Sequence, residues 1–410
     1  MSNLIYKTKS VCPVCFKSID AQVSEENSLI YLNKSCRDHG ENKELIWQDN
    51  KENYIRWLEY GGLKIENYKI VEGKLKYPNV CTAALMVTNK CNLDCPVCFT
   101  KSKDDESYNP SLDELRDLLE YYKSAGGEGA PIEFCGGEPT VRSDLPELAQ
   151  MAKGMGFDYI QLNTNGIKIS QSVEYCHELK DSGITTVYLG FDGFINDTYI
   201  YKYNKNLLNE KIKAVENCRQ AKLAVILVPC IKPSVNDEQI GNIIDFAKDY
   251  IPTVRGIYFQ PLSYFGIYPK DNRKRITIPE ILRSIEKQTS GEIPADSFLP
   301  GSCEHPQCSF NGYFLMDNNK KLKPITKFKM KMLSEDAPIR IRENIKKTWT
   351  YNEQKYLTIG GMAFQDVWNY DIERIKRCTI QIIGNNKNLI PLCKKYLTND
   401  DGKKLYPGIN

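Results

Sequence analysis

No apolar run in this chain approaches the length of a membrane span, so no transmembrane segment is expected. The stretch from Met1 to Ser10 lacks the apolar core of a secretory signal, and the expected location is therefore the cytoplasm. An excess of one charge is lacking too. Lys and Arg total 55 against 52 acidic residues, and a net charge of +3 exerts no global pull toward nucleic acid, so no nucleic-acid partner is expected. Fixed-period repeats and low-complexity linkers are also missing. Cysteine, in contrast, is abundant, with 15 copies among 410 residues. Without a secretory signal these thiols point to metal and not to disulfides. At this length two or three domains are expected, and 41% hydrophobic residues suffice for packed cores.

Between Cys81 and about Phe265, short β-branched runs alternate with helical patterns, the mark of βα units and a parallel sheet. Six candidate strands are Ala83 to Thr88, Pro131 to Cys135, Tyr159 to Asn163, Thr186 to Gly190, Ala224 to Cys230 and Gly256 to Gln260. Ser111-Leu112-Asp113-Glu114 is a capping box before Leu115, Leu118 and Leu119. Asn236 is placed to cap the helix carrying Ile240, Ile243, Ile244 and Ala247. The fold class is α/β, a partial (β/α)6 barrel of TIM type over 78–266, with a metal-knuckle lobe at 1–77 and a cysteine-bearing domain at 267–410. In such barrels ligands gather at the carboxyl ends of the strands.

Cys91, Cys95 and Cys98 follow the first strand directly, in Val87-Thr88-Asn89-Lys90-Cys91-Asn92-Leu93-Asp94-Cys95-Pro96-Val97-Cys98-Phe99. A cubane cluster has four irons, so three cysteine ligands leave one iron open to a reactant. A zinc site wants four ligands, and a pure electron carrier wants every iron capped by protein. Strand two ends in Gly136-Gly137-Glu138-Pro139, where two glycines let backbone pass close to a ligand, although alone such a turn is an ordinary loop. Asn163 and Asn165 end strand three, Asp192 strand four and Gln260 strand six. These short polar side chains could bind ribose hydroxyls or adenine; Asn-Gly and Asp-Gly are equally turn formers. Cys135, Cys176, Cys218 and Cys230 read as packed hydrophobes.

Two further cysteine regions flank the barrel. Cys12-Pro13-Val14-Cys15 and Cys36-Arg37-Asp38-His39 make two half-sites suited to mononuclear Zn or Fe, with His39 or Cys81 as the fourth ligand. Such a closed site folds a small lobe. Cys303, Cys308, Cys378 and Cys393 would fully ligate a second, auxiliary [4Fe–4S] cluster. Near them Lys320, Lys321, Lys323, Lys327, Lys329 and Lys331 crowd one stretch, ordinarily a solvated face and otherwise a seat for an anionic group.

The C-x3-C-x2-C loop resembles the signature of the radical S-adenosylmethionine (SAM) superfamily. With the leading C-P-x-C and C-x-x-H-G, the F-x-G-G-E-P-T turn, the F-Q-P-x-S strand, C-x-H-P-x-C and the late R-I-K-R-C and L-I-P-L-C, nearly the whole chain resembles the archaeal tetraether lipid synthase group. Neighbours of that group are the dihydropterin methylases called class D radical SAM enzymes. The resemblance implies a SAM-binding [4Fe–4S] cluster on Cys91, Cys95 and Cys98. It also implies that Gly136, Gly137, Glu138 and Pro139 hold SAM's methionine moiety, and that Phe99 takes the place of an adenine-packing aromatic, since Val97 precedes the third cysteine. The implied reaction is reductive cleavage of SAM to a 5′-deoxyadenosyl radical, which functionalises an unactivated C–H bond of a lipid- or pterin-type small molecule by carbon–carbon bond formation or methylation. A ferredoxin- or flavodoxin-type donor and oxygen sensitivity follow from the same resemblance. Two departures are the cysteine-free stretch from Asn67 to Val80 and Met362-Ala363-Phe364, where relatives often carry histidine. The alternatives are a maturase of a ribosomally made peptide and a non-enzymatic iron–sulfur redox or sensor protein.

Overall fold

A computed structural model describes residues 3–65, 80–101, 107–127, 129–270, 273–301, 304–326 and 337–406. Strands β1 (Asn3–Val11), β2 (Ser18–Glu26), β3 (Leu29–Cys36) and β4 (Gly40–Trp47) form an antiparallel sheet in sequential order. Their buried and exposed residues alternate, so one face packs and the other meets water. Helix Lys51–Tyr60 follows, capped by the Asn50 side chain, which accepts from the Asn53 N–H. Its Trp57 Nε1 donates to the Pro306 carbonyl at 2.9 Å, which fixes the lobe to the carboxyl-terminal third of the chain.

The centre of the molecule is the predicted parallel array: β5 (Thr82–Thr88), β6 (Ile132–Gly136), β7 (Ile160–Thr164), β8 (Thr186–Gly190), β9 (Ala224–Val228), a short β10 (Cys230–Ile231) and β11 (Val254–Pro261). β5 to β9 and β11 pair in sequence order, all parallel. The capping box of Ser111 and Glu114 starts helix Leu112–Tyr122, whose Leu115, Leu118 and Leu119 enter the main core.

Strands from the last third of the chain extend both edges of this array. After β12 (Leu299–Pro300), β13 (Ser309–Met316) and β14 (Leu322–Pro324), β15 (Tyr356–Met362) runs parallel beside β11. On the opposite edge β16 (Ile380–Gly384) runs parallel beside β5, and β17 (Asn388–Pro391) pairs with it. Covering both edges removes two unpaired rows of backbone groups. Helix Ala337–Trp349 lies across the amino-terminal ends of the strands: Thr186 Oγ1 donates to the Trp349 carbonyl at 2.9 Å, and Lys346 pairs with Asp158 at 2.8 Å. Among the described residues no helix is long and apolar enough to cross a membrane.

Asn236 does not cap a helix with its side chain; its Nδ2 donates to the Asp192 and Cys230 carbonyls at 2.9 Å each, and its Oδ1 accepts from the Lys232 N–H. Two strand ends compete for the amide and win it.

Candidate active site

The carboxyl ends of the parallel strands converge on the three-cysteine loop. Cys91 is exposed, and Cys95 and Cys98 are partly buried. The loop is pinned from two sides. On one, the Gly137 N–H donates to the Thr88 carbonyl at 2.8 Å and the Glu138 N–H to the Lys90 carbonyl at 2.9 Å. A Cβ on Gly136 would collide with the Thr88 carbonyl, and one on Gly137 with that of Lys90. The glycine pair thus allows close approach of the chain to itself. On the other side, Cys98 and Ile267 exchange backbone hydrogen bonds of 2.8 Å, and Gly266, at φ +70°, lies against the Cys98 carbonyl.

Glu138 is buried, and its carboxylate accepts from the Thr140 N–H and hydroxyl, from Thr164 Oγ1 at 2.7 Å and from the Asn165 N–H at 2.7 Å. Its side chain clamps the ends of β6 and β7 together and does not lie open at the mouth, as a contact to methionine would require. Asp192 is likewise wholly buried: Oδ1 accepts from Lys202 Nζ at 2.7 Å and from the Cys230 N–H, and Oδ2 from the Tyr203 hydroxyl. With both oxygens engaged inside, it carries no surface for ribose. Asn165 stays partly exposed and donates from Nδ2 to Asn92 Oδ1 in the cluster loop at 2.7 Å. Asn163 and Gln260, also partly exposed, sit lower in the barrel, and Pro139 is buried in the turn. Phe99 is exposed at the mouth, with its ring 5.2 Å from Tyr396 and 6.0 Å from Phe265.

Burial, together with the neighbouring Cys98 and Cys91, pushes the Cys95 thiol up to about 12, while Lys202 and Lys211 pull it back. The ammonium groups of Lys202 and Lys211 favour the thiolate form that an iron cluster takes from its cysteines. Lys202, Lys211 and Tyr203 escaped the sequence reading because they stand on helices Asn196–Tyr203 and Leu208–Ala221 without any motif.

In the amino-terminal sheet the donor atoms of Cys12, Cys15, Cys36 and His39 all lie within 4.8 Å of one another. His39 Nδ1 is 3.5 Å from both the Cys12 and Cys36 sulfurs, and the His39 contact holds the Cys36 thiol down at about 6. Bonds of about 2.3 Å to sulfur place tetrahedral ligands about 3.8 Å apart, so the group fits one ion. His39, and not Cys81, completes this set; Cys81 is buried at the start of the barrel.

Of the carboxyl-terminal cysteines, Cys303 lies outside the described residues. Cys308, Cys378 and Cys393 line one cavity with Glu304, Gln365 and Arg374. Arg374 donates to Cys308 Sγ at 3.2 Å and the Gln365 N–H to Cys393 Sγ at 3.3 Å. Burial, then Cys393 and Cys308, pushes the Cys378 thiol up. Phe364, on the wall of this cavity, stands 6.3 Å from Phe265, which touches Phe99. The cavity and the three-cysteine loop therefore flank one aromatic patch. Glu304 and Arg374 were not singled out in the sequence; the runs around Cys308 and Cys378 were the available signal. Lys320 and Lys323 are exposed and pair with Asp249 and Asp317, as a solvated face does, and Lys327, Lys329 and Lys331 lie outside the described residues. Cys176 and Cys218 are buried in the main core and Cys135 in a smaller apolar cluster, as packed hydrophobes, whereas Cys230 remains partly exposed beside Asp192.

Residues 85–247 match the model of the radical SAM superfamily, and residues 4–48 match the HMPTM N-terminal zinc ribbon domain. The chain is 33% identical to the 7,8-dihydro-6-hydroxymethylpterin dimethyltransferase of Methanocaldococcus jannaschii, an alignment that covers 94% of this chain and 92% of that protein. The chain belongs to the radical SAM superfamily, in its dihydropterin methylase-like group. As a radical SAM enzyme it has SAM and a [4Fe–4S] cluster as its implied cofactors, and the zinc-ribbon match agrees with the four gathered donors at the amino terminus. More distant similarity extends to the GTP 3′,8-cyclase of Nautilia profundicola, 28% identical over 52% of this chain and 65% of that protein. Among solved structures, the [FeFe]-hydrogenase maturase HydG from Carboxydothermus hydrogenoformans matches with a TM-score of 0.45 and 16% identity, over 59% of this chain and 57% of that one.

Proposed function

We propose that this radical SAM enzyme methylates a dihydropterin at an unactivated carbon, replacing the abstracted hydrogen with the methyl group of a second SAM, which leaves as S-adenosylhomocysteine, with a further electron drawn from the reductant. The observation that carries the reading is the three-cysteine loop, pinned at the mouth of the barrel, in a chain alignable over nearly its whole length with a pterin dimethyltransferase. Cys91, Cys95 and Cys98 would hold a [4Fe–4S] cluster, whose chemistry would be the one-electron reductive cleavage of SAM to methionine and a 5′-deoxyadenosyl radical able to take a hydrogen atom from substrate. The chain's own residues do the rest. The backbone of Gly136 and Gly137 seats the methionine moiety, Phe99 packs on adenine, and Asn163, Asn165 and Gln260 offer polar contacts below. Glu138 and Asp192 position this rim from behind by holding the strand ends together.

Enclosure by the aromatic patch of Phe99, Phe265, Phe364 and Tyr396 keeps water from the reacting atoms. We further infer that Cys308, Cys378 and Cys393, with Cys303, ligate an auxiliary [4Fe–4S] cluster across that patch, and that Cys12, Cys15, Cys36 and His39 hold a structural Zn or Fe. Domain limits of 1–77, 78–266 and 267–410 complete the proposal, with a ferredoxin- or flavodoxin-type electron donor in the cytoplasm.

The test is anaerobic turnover with reductant, SAM and deuterated 7,8-dihydro-6-hydroxymethylpterin. Methylated pterin and deuterium in 5′-deoxyadenosine are expected, and both should vanish when Cys91, Cys95 and Cys98 are replaced by Ala. Release of 5′-deoxyadenosine free of deuterium, with no methylated pterin, would refute the substrate.

A further inference from the structure

Below the mouth, the barrel interior carries a carboxylate that no step above uses. Strand alternation sends Phe134 of β6 into the helix-facing core and turns its neighbours Glu133 and Cys135 to the interior. Glu133 Oε1 accepts from Thr82 Oγ1 at 2.9 Å, and Oε2 receives one long contact, from Asn163 Nδ2 at 3.4 Å. Asn163 is itself oriented, because its Oδ1 accepts from Gln161 Nε2 at 2.8 Å. No cation among the described residues pairs with Glu133, and burial pushes its pKa up. A carboxylate buried without a cation is costly, and such groups concentrate where a ligand supplies the missing charge or donors.

The surroundings fit a flat, polar ligand. Glu133, Asn163, Tyr188, Tyr258 and Gln260 all keep accessible surface although they stand on strands of the central array. Its floor is aromatic: the Tyr188 ring is 6.1 Å from those of Tyr258 and Trp349, and Tyr258 is 5.8 Å from Trp349. Glu133 lies three residues before Gly136, a rise of about 10 Å along the strand. A two-ring heterocycle spans that depth, with one edge at Glu133 and the other at the mouth.

Resting on the dihydropterin reading, we propose that Glu133 is the residue that recognises the ring, its carboxylate receiving the paired N–H donors of an aminopyrimidinone edge. That edge presents an exocyclic amino group and a ring N–H side by side, the arrangement two carboxylate oxygens accept together.

Anaerobic equilibrium binding tests this with two probes, 7,8-dihydro-6-hydroxymethylpterin and its analogue bearing oxygen in place of the 2-amino group. The native enzyme should bind the pterin about 10- to 100-fold more tightly than the analogue, and Glu133→Gln should weaken the pterin by a similar factor and close the gap between the two probes. Iron content and thermal midpoint of the variant report that it is folded. Equal pterin affinity in Glu133→Gln, with the gap intact, overturns the assignment alone. A native enzyme that fails to bind the pterin overturns the substrate reading and this inference with it.

Discussion

Glu133 shows how a single side chain can oppose stability for the sake of a ligand. Because burial raises its folded pKa above the ordinary carboxylate value, the folded state binds more protons than the unfolded one in the intervening range, and stability falls as pH rises through it. The cost is complete above the folded pKa. Glu133→Gln, whose Oε1 can accept from Asn163 while its Nε2 donates to the Thr82 hydroxyl oxygen, is therefore expected to melt at a higher temperature than the native enzyme at pH 7 and above. The difference should shrink as the pH is lowered toward the ordinary carboxylate range, as calorimetry at several pH values would reveal. A variant less stable at neutral pH would mean the carboxylate is a net structural asset. In the sequence this residue was visible only as a charge in the apolar run Ile132-Glu133-Phe134, a signal the reading of strand ends passed over.

At the scale of elements, all six barrel strands were legible, because β-branched runs bounded by turn residues leave few other folds open. The Ser111 capping box was legible for the same local reason. The edge strands β15 and β16 were not, since their pairing with β11 and β5 joins segments distant in sequence. Asn236 and Asp192 were misplaced because a short polar residue at a strand end reads the same whether it faces a ligand or a neighbouring loop. The strap after β11 was equally hidden. Gly266→Ala forces a side chain into a left-handed position against the Cys98 carbonyl, a strain of about 1–3 kcal/mol. Its expected consequence is loss of iron from the three-cysteine loop, read as iron per chain and as a weakened paramagnetic response to added SAM. Full iron occupancy with a normal SAM response would show that the strap is dispensable.

Across the whole molecule, the amino-terminal sheet is tied to the wall of the distant cavity. Lys34 Nζ donates to the Val367 carbonyl at 2.6 Å, and Thr8 Oγ1 donates to Asp371, the cap of the short helix that carries Arg374. Removing the metal at Cys12, Cys15, Cys36 and His39 should therefore act beyond its own lobe. Cys36→Ser is expected to lower stability by several kcal/mol, since a structural metal contributes folding energy outright. It should also expose both the first 47 residues and the segment 363–376 to limited proteolysis. Cleavage confined to the amino-terminal sheet would sever this link.

The floor of the barrel has a kinetic consequence. With Trp349 and helix Ala337–Trp349 across the amino-terminal ends of the strands, a ring held by Glu133 as proposed lies between that floor and the three-cysteine loop at the mouth. The expected outcome is ordered addition, read from initial-rate kinetics: the deeper guest arrives before SAM, and the finished product departs after methionine and 5′-deoxyadenosine have left.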